Sequence, residues 1–354
     1  MTVQEFPIRE GIQRVVEGGL LTQDEAASIM DQIMTGRTTG AQIGALVTAL
    51  RMRGETIDEI AGFASAMRSH AVKVELDLDG GPVVDTCGTG GDAAGTFNIS
   101  TTASFAIAAA GVRVAKHGNR AMTSKCGSAD LLEELGVRIE LAPEQVADCI
   151  DEVGIGFMFA PSFHPAMRYV GPSRKEIGIR TIFNVLGPLT NPAGAQHQLI
   201  GVGHPGIAIK LAEVLGRLGS RKAVLVHAEE GLDELGLAGV SQITEWDQEA
   251  GGVSTSTLTP EDVGLQRAGL SQLAGGDRTE NARITRAILN AERGPRRDAI
   301  LLNAGAGLYA ANAVVSIADG VKIAADVIDS GEALEALNRL IAYTQSLAPL
   351  EVAV

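Results

Sequence analysis

Apolar residues recur at helical spacing through the first seventy positions. Ala26, Ile29, Met30 and Ile33 fall on one helix face, and Ile57, Ile60, Phe63 and Met67 repeat the pattern. Thr22 with Glu25, and Thr56 with Glu59, stand at capping-box spacing just before these runs. A small helical bundle without strands is therefore predicted. At Val72 the period changes, and Pro82-Val83-Val84-Asp85-Thr86-Cys87 reads as a buried strand running directly into a glycine loop. Further strands are predicted at Val112 to Ala115, Gly156 to Phe159, Gln198 to Val202, Ala223 to Val226 and Gln242 to Trp246, alternating with helical stretches. Helices return at Glu280 to Glu292 and from Asp298 through Asn312. The alternation predicts an α/β fold: a small all-helical domain beside a large α/β domain whose mostly parallel sheet is covered by helices.

A chain of 354 residues exceeds the usual reach of one hydrophobic core, which agrees with two domains meeting near residue 72. With 43 glycines and only 3% aromatic residues, the composition suits tight loops that approach ligands closely. The net charge of −14 argues against a nucleic-acid partner, because such binding draws on Lys and Arg that replace counterions. A polyanionic small ligand would need local cations, a metal or backbone N–H groups. Cys87, Cys126 and Cys149 show no metal or disulfide spacing and read as reduced thiols. No signal-type segment or long apolar run is present, so a cytoplasmic protein with no membrane partner is expected.

The chemistry concentrates after the first strand. Gly88-Thr89-Gly90-Gly91-Asp92, followed by Thr96-Phe97-Asn98-Ile99-Ser100-Thr101, offers backbone N–H groups to an anion and hydroxyls to phosphate or a hydrated metal. A glycine turn followed by an N-cap is the plainer alternative. A dinucleotide fingerprint fits poorly, since no acidic residue stands in Ala108 to Arg113, where a ribose partner is needed. Lys116-His117-Gly118-Asn119-Arg120-Ala121-Met122-Thr123-Ser124 follows the next strand and brings cations and hydroxyls to the same sheet edge. Ser128 reads as the N-cap of a helix running through Leu135.

These segments resemble those of the anthranilate phosphoribosyltransferase family, within the nucleoside-phosphorylase-like phosphoribosyltransferases. The resemblance continues in Phe159-Ala160-Pro161, His164-Pro165-Ala166-Met167-Arg168, Arg174 through Asn184, Leu186 to Pro192, and Gly231-Leu232-Asp233-Glu234. It implies a helical domain of residues 1–72 completed by 165–190, and an α/β domain of residues 73–164 and 191–354. It also implies a homodimer formed through the helical domain. Phosphoribosyl pyrophosphate would be met by Gly88, Gly91, Asp92, Thr96, Asn98, Ile99, Ser100, Thr101, Lys116 to Ser124 and Ser128. Anthranilate would be met by Gly88, Asn119 and Arg174, and two Mg2+ ions by Ser100, Asp233 and Glu234. The chain departs from the common pattern at Ala93-Ala94, Thr123 and Phe163. A nucleoside phosphorylase of similar fold and a non-catalytic nucleic-acid-binding relative are the alternatives weighed, and the second conflicts with the net charge.

Overall fold

The computed structural model describes residues 5–77, 80–92, 94–121 and 124–348. Ala93, Met122 and Thr123, named above, therefore lie outside the described residues. Four helices, α1 (Ile8–Val16), α2 (Gln23–Met34), α3 (Gly40–Arg53) and α4 (Ile57–Ser69), open the chain. Capping boxes form at Thr22 and Thr56 as predicted, and a third forms at Thr39 with Gln42.

The α/β part carries strands β1 (Val83–Gly88), β2 (Arg113–Gly118), β3 (Ile155–Phe159), β4 (His197–Gly201), β5 (Lys222–Ala228), β6 (Ser241–Asp247) and β7 (Gly252–Leu258). Between them run α5 (Ile99–Ala109), α6 (Ser128–Leu135), α7 (Pro143–Asp148), α8 (Ala160–Phe163), α9 (Gly171–Ile177), α10 (Phe183–Leu186) and α11 (Ala208–Arg217). The chain closes with α12 (Arg278–Leu289), α13 (Pro295–Ala310), α14 (Ile317–Asp329) and α15 (Glu332–Ser346). The sheet order is β3-β2-β1-β4-β5-β6-β7. Strands β3 to β5 in that order pair in parallel, whereas β6 and β7 are antiparallel additions at one edge. The sequence pattern predicts no strand at β7, whose Ser254 to Thr257 are exposed and supply no apolar alternation.

Two apolar clusters cover the two sheet faces. Val224 and Val226 of β5 join the cluster that includes α5, α13 and α14, while Ala223 and Leu225 point into the other. That second cluster merges α11 with α1 to α4 and with Val170, Ile182, Phe183, Leu186 and Leu189. Arg68 of α4 adds a polar tie, donating to the carbonyls of Leu189 at 2.6 Å and Leu218 at 2.9 Å. The segment around α9 and α10 is thereby fixed between the bundle and the sheet.

Glu59 organises the bundle from inside. Its side chain is completely buried, accepts from the Leu21 and Thr56 N–H groups at 2.9 Å each, and is paired with Arg53. Removing it leaves two backbone donors and a half-buried guanidinium without their carboxylate, which costs about 3–5 kcal/mol at the scale of a broken buried pair. We predict that Glu59→Ala lowers unfolding free energy in urea by about that amount; a loss below about 1 kcal/mol, the ordinary surface range, would contradict this role.

Candidate active site

Parallel pairing aligns the carboxyl ends of β1, β2, β4 and β5, with Gly88 opposite Gly201 and Gly201 opposite Val226. The loops that follow these strands gather at one edge, the usual ligand position in an open α/β sheet. At the centre stand Asp233 and Glu234. Asp233 Oδ2 accepts from the Gly90 N–H at 2.8 Å, and Glu234 Oε1 accepts from the Ser100 N–H at 3.2 Å. One carboxylate therefore holds the glycine loop and the other holds the first turn of α5.

The same packing explains two glycines. A Cβ at Gly88 would lie 2.7 Å from Asp233 Oδ2, and one at Gly201 would lie 1.5 Å from the Asp233 carbonyl oxygen. Both strand ends are bare because the acidic loop presses on them. Gly88 thus has a structural reason to be glycine independent of any ligand.

Charge at this centre is incompletely balanced. Burial, then Glu234 and then Asp92, push the Asp233 carboxyl well above its ordinary range. Burial raises Glu234 to about 7, against the opposing pull of Lys116 and the Ser100 hydrogen bond. Lys116 is itself buried; it donates to the Thr86 carbonyl, to Thr86 Oγ1 at 3.3 Å and towards Ser100 Oγ at 3.5 Å. Burial lowers its pKa while Asp85 and Glu234 oppose that shift. Asp85 in turn accepts from the His117 N–H at 3.2 Å and from Asn191 Nδ2 at 2.8 Å. Among the described residues, no three His, Cys, Asp or Glu side chains by themselves close around a metal.

The other predicted residues fall into distinct settings. Thr96 is half-buried and forms a bridge to Ala274, and Asn98 links the Cys126 carbonyl to Asn281. Ile99 and Thr101 are buried, so the Ile99 side chain packs in the core and is not itself presented at the loop. His117 is buried beside His164, ring centroids 5.0 Å apart, and burial holds their pKa values down to about 3 and about 4. Gly118 ends β2 and Asn119 follows it, with Asn119 Oδ1 accepting from the Arg120 N–H at 2.7 Å. Arg120 is engaged by Glu133 and, at 3.3 Å, by Asp130. Ala121 donates its N–H to Asp130 at 2.9 Å, and Ser124 is exposed.

The expected N-cap at Ser128 is corrected. Gly127 occupies the cap position, and Asp130 accepts from the Gly127 N–H at 2.9 Å. Ser128 is the first helical residue and donates to the Asn119 carbonyl at 3.2 Å. Arg174 of α9 has its guanidinium 5.8 Å from the centre of the Phe183 ring, and burial lowers its pKa. Among the described residues it forms no ion pair with Glu176. Arg180, not expected at the site, reaches the glycine loop and donates to the Thr89 carbonyl at 3.1 Å. Its motif is visible in the sequence, but nothing in the spacing tells which loop the side chain meets.

Comparison with known proteins agrees with this architecture. The family described as "Glycosyl transferase family, a/b domain" matches residues 80–334, and "Glycosyl transferase family, helical bundle domain" matches residues 9–71. The anthranilate phosphoribosyltransferase of Chloroflexus aggregans is 57% identical over 96% of this chain and 99% of its own length. The crystal structure of the enzyme from Thermus thermophilus superposes with a TM-score of 0.90 at 46% identity, covering 95% of this chain and 99% of that one. The Saccharomyces cerevisiae enzyme, solved in complex with PRPP and Mg, gives a TM-score of 0.86 at 29% identity, covering 96% of this chain and 98% of that one. Sequence and fold agree along nearly the whole length, and the chain belongs to the anthranilate phosphoribosyltransferase family.

Proposed function

We infer that this sheet edge performs the family's reaction: transfer of the 5-phosphoribosyl group from phosphoribosyl pyrophosphate to the amine of anthranilate. The products are N-(5-phosphoribosyl)anthranilate and pyrophosphate, a step of L-tryptophan biosynthesis. The observation that carries this reading is the acidic pair, Asp233 and Glu234, fastened under the glycine loop and the first turn of α5.

Displacement at C1 of the ribose builds negative charge on the leaving pyrophosphate, so the site must hold a polyanion next to its own carboxylates. The donor set present, two carboxylates and the Ser100 hydroxyl, is all oxygen and suits Mg2+, which takes further ligands from water and substrate phosphates. Desolvation raises both carboxyls, with repulsion from Glu234 and Asp92 adding to it at Asp233, and a cation there relieves both effects. We assign two Mg2+ ions to Ser100, Asp233 and Glu234; bound magnesium supplies Lewis-acid neutralisation of the leaving group. The yeast relative's complex with PRPP and Mg supports magnesium as the metal.

The chain's own residues bind and orient. With the Thr89 and Gly90 N–H groups taken by Gly201 and Asp233, those of Gly91 and Asp92 and the polar residues Thr96, Asn98, Ser100 and Asn119 serve the phosphoribosyl donor as fixed dipoles. Lys116 acts from behind, fixing Thr86 and Ser100. Arg174, with its guanidinium unpaired among the described residues, is placed to clamp the anthranilate carboxylate, and Asn119 to orient the ring. The amine carries its own lone pair, so positioning supplies much of the rate. Residues 1–72 with 165–190 form the helical unit in this reading, and the α/β unit takes the rest. A homodimer joined through the helical unit is supported by Val16, Leu20 and Met52, apolar side chains there that are 68%, 58% and 84% exposed.

Product fluorescence measured with anthranilate and phosphoribosyl pyrophosphate, with and without magnesium, tests the reading. Asp233→Ala with Glu234→Ala raises the magnesium needed for half-maximal rate and lowers kcat by about tenfold or more, while anthranilate binding stays nearly intact. A magnesium dependence that overlays the parent's would refute the metal role. Arg174→Ala raises the KM for anthranilate roughly 10- to 100-fold and leaves that for phosphoribosyl pyrophosphate within about twofold, because a charge-assisted pair is lost. An unchanged anthranilate KM would remove Arg174 from the acceptor site.

A further inference from the structure

The glycine loop is held from three directions. From β4, the Gly201 carbonyl accepts from the Thr89 N–H at 2.8 Å, and Gly203 donates its N–H to Thr89 Oγ1 at 3.0 Å. From below, Asp233 holds Gly90 at 2.8 Å. The third hold comes from the connector between α9 and α10, where Arg180 Nη2 donates to the Thr89 carbonyl at 3.1 Å.

Arg180 also fills space that belongs to no other side chain. A Cβ built on Gly91 would lie 1.6 Å from Arg180 Nη1 and 2.7 Å from Cζ. Gly91 has φ +83°, so glycine is favoured there by conformation as well as by the guanidinium lying against it. The cation rests directly on the loop backbone.

Two cations of the neighbouring loop and strand are already committed. Arg120 is engaged by Glu133 and Asp130, and Lys116 is buried on the Thr86 carbonyl. Arg180 makes this one hydrogen bond among the described residues and forms no ion pair there, so its charge stays at the loop. It is half-buried, on the same connector that follows Arg174.

We propose that Arg180 is a positioning residue of the transfer reaction: it pins Thr89 to Gly91 in the conformation that meets the pyrophosphate of the donor. The inference rests on the assignment of this loop to phosphoribosyl pyrophosphate. A guanidinium bound to the loop carbonyl fixes the direction of the neighbouring peptide groups, and its positive charge lies at the loop that would meet the polyanion. The helical segment that carries the acceptor clamp thereby also shapes the donor loop.

The test compares the parent with Arg180→Ala and Arg180→Lys in steady-state kinetics with both substrates and magnesium, with donor binding followed by calorimetry. Arg180→Ala is expected to raise the KM for phosphoribosyl pyrophosphate about tenfold or more, with that for anthranilate within about twofold. Arg180→Lys keeps the charge but loses the planar fork and recovers only part of the loss. A non-denaturing concentration of guanidinium chloride restores donor binding to the Ala variant, which a general loss of folding would not permit. An unchanged donor KM, or equal rises in both KM values without rescue, overturns the role of Arg180 while leaving the loop assignment standing. A parent protein that binds no phosphoribosyl pyrophosphate overturns the assignment beneath it.

Discussion

Two adjacent, half-buried carboxylates without full compensation set the terms for the rest of this sheet edge. Burying a charge is expensive unless hydrogen bonds and opposite charge offset it. Asp233 and Glu234 obtain backbone donors from Gly90 and Ser100, and a buried Lys116 draws Glu234 downward. These partners leave both carboxyls raised. Glycine at positions 88 and 201 admits the acidic loop at all, since a side chain at either would collide with Asp233. In the proposed function a cation completes the balance at this acidic pair.

The fold delivers the remaining parts by topology. Parallel strands place loop after loop at one edge, and their opposite faces are sealed by separate apolar clusters. One of those clusters runs into the helical bundle, so the segment bearing Arg174 and Arg180 is packed against bundle and sheet together. Arg68 reinforces that junction through the Leu189 and Leu218 carbonyls. The glycine loop, through Arg180, and the segment bearing Arg174 thus share one mechanical support, although they come from different parts of the chain.

Local patterns in the sequence foretell much of this. Capping boxes at Thr22 and Thr56, and each of the first six strands, lie close to where periodicity and turn residues put them. Long motifs likewise locate the glycine loop and the acidic pair. Relations between distant segments are not legible. Nothing along the chain distinguishes Lys116 as a buried strut from an exposed cation, or separates Arg180 from Lys175 as the side chain that crosses to Thr89. At α6 the local signal misleads: Ser128 is a good N-cap residue, yet Asp130 satisfies the donors from inside the helix and leaves Gly127 to cap. At β7 the edge position removes the burial that would have written an alternating pattern.

The central claim, that the acidic pair exists to hold metal against the donor's pyrophosphate, is tested most directly by counting bound metal. Electron paramagnetic resonance can follow Mn2+ in place of Mg2+ with the protein saturated by phosphoribosyl pyrophosphate. The account predicts bound Mn2+ that Mg2+ displaces and that is lost in a variant carrying Asp233→Asn with Glu234→Gln, which keeps the shape and removes the charge. Equal Mn2+ occupancy in parent and variant would contradict it.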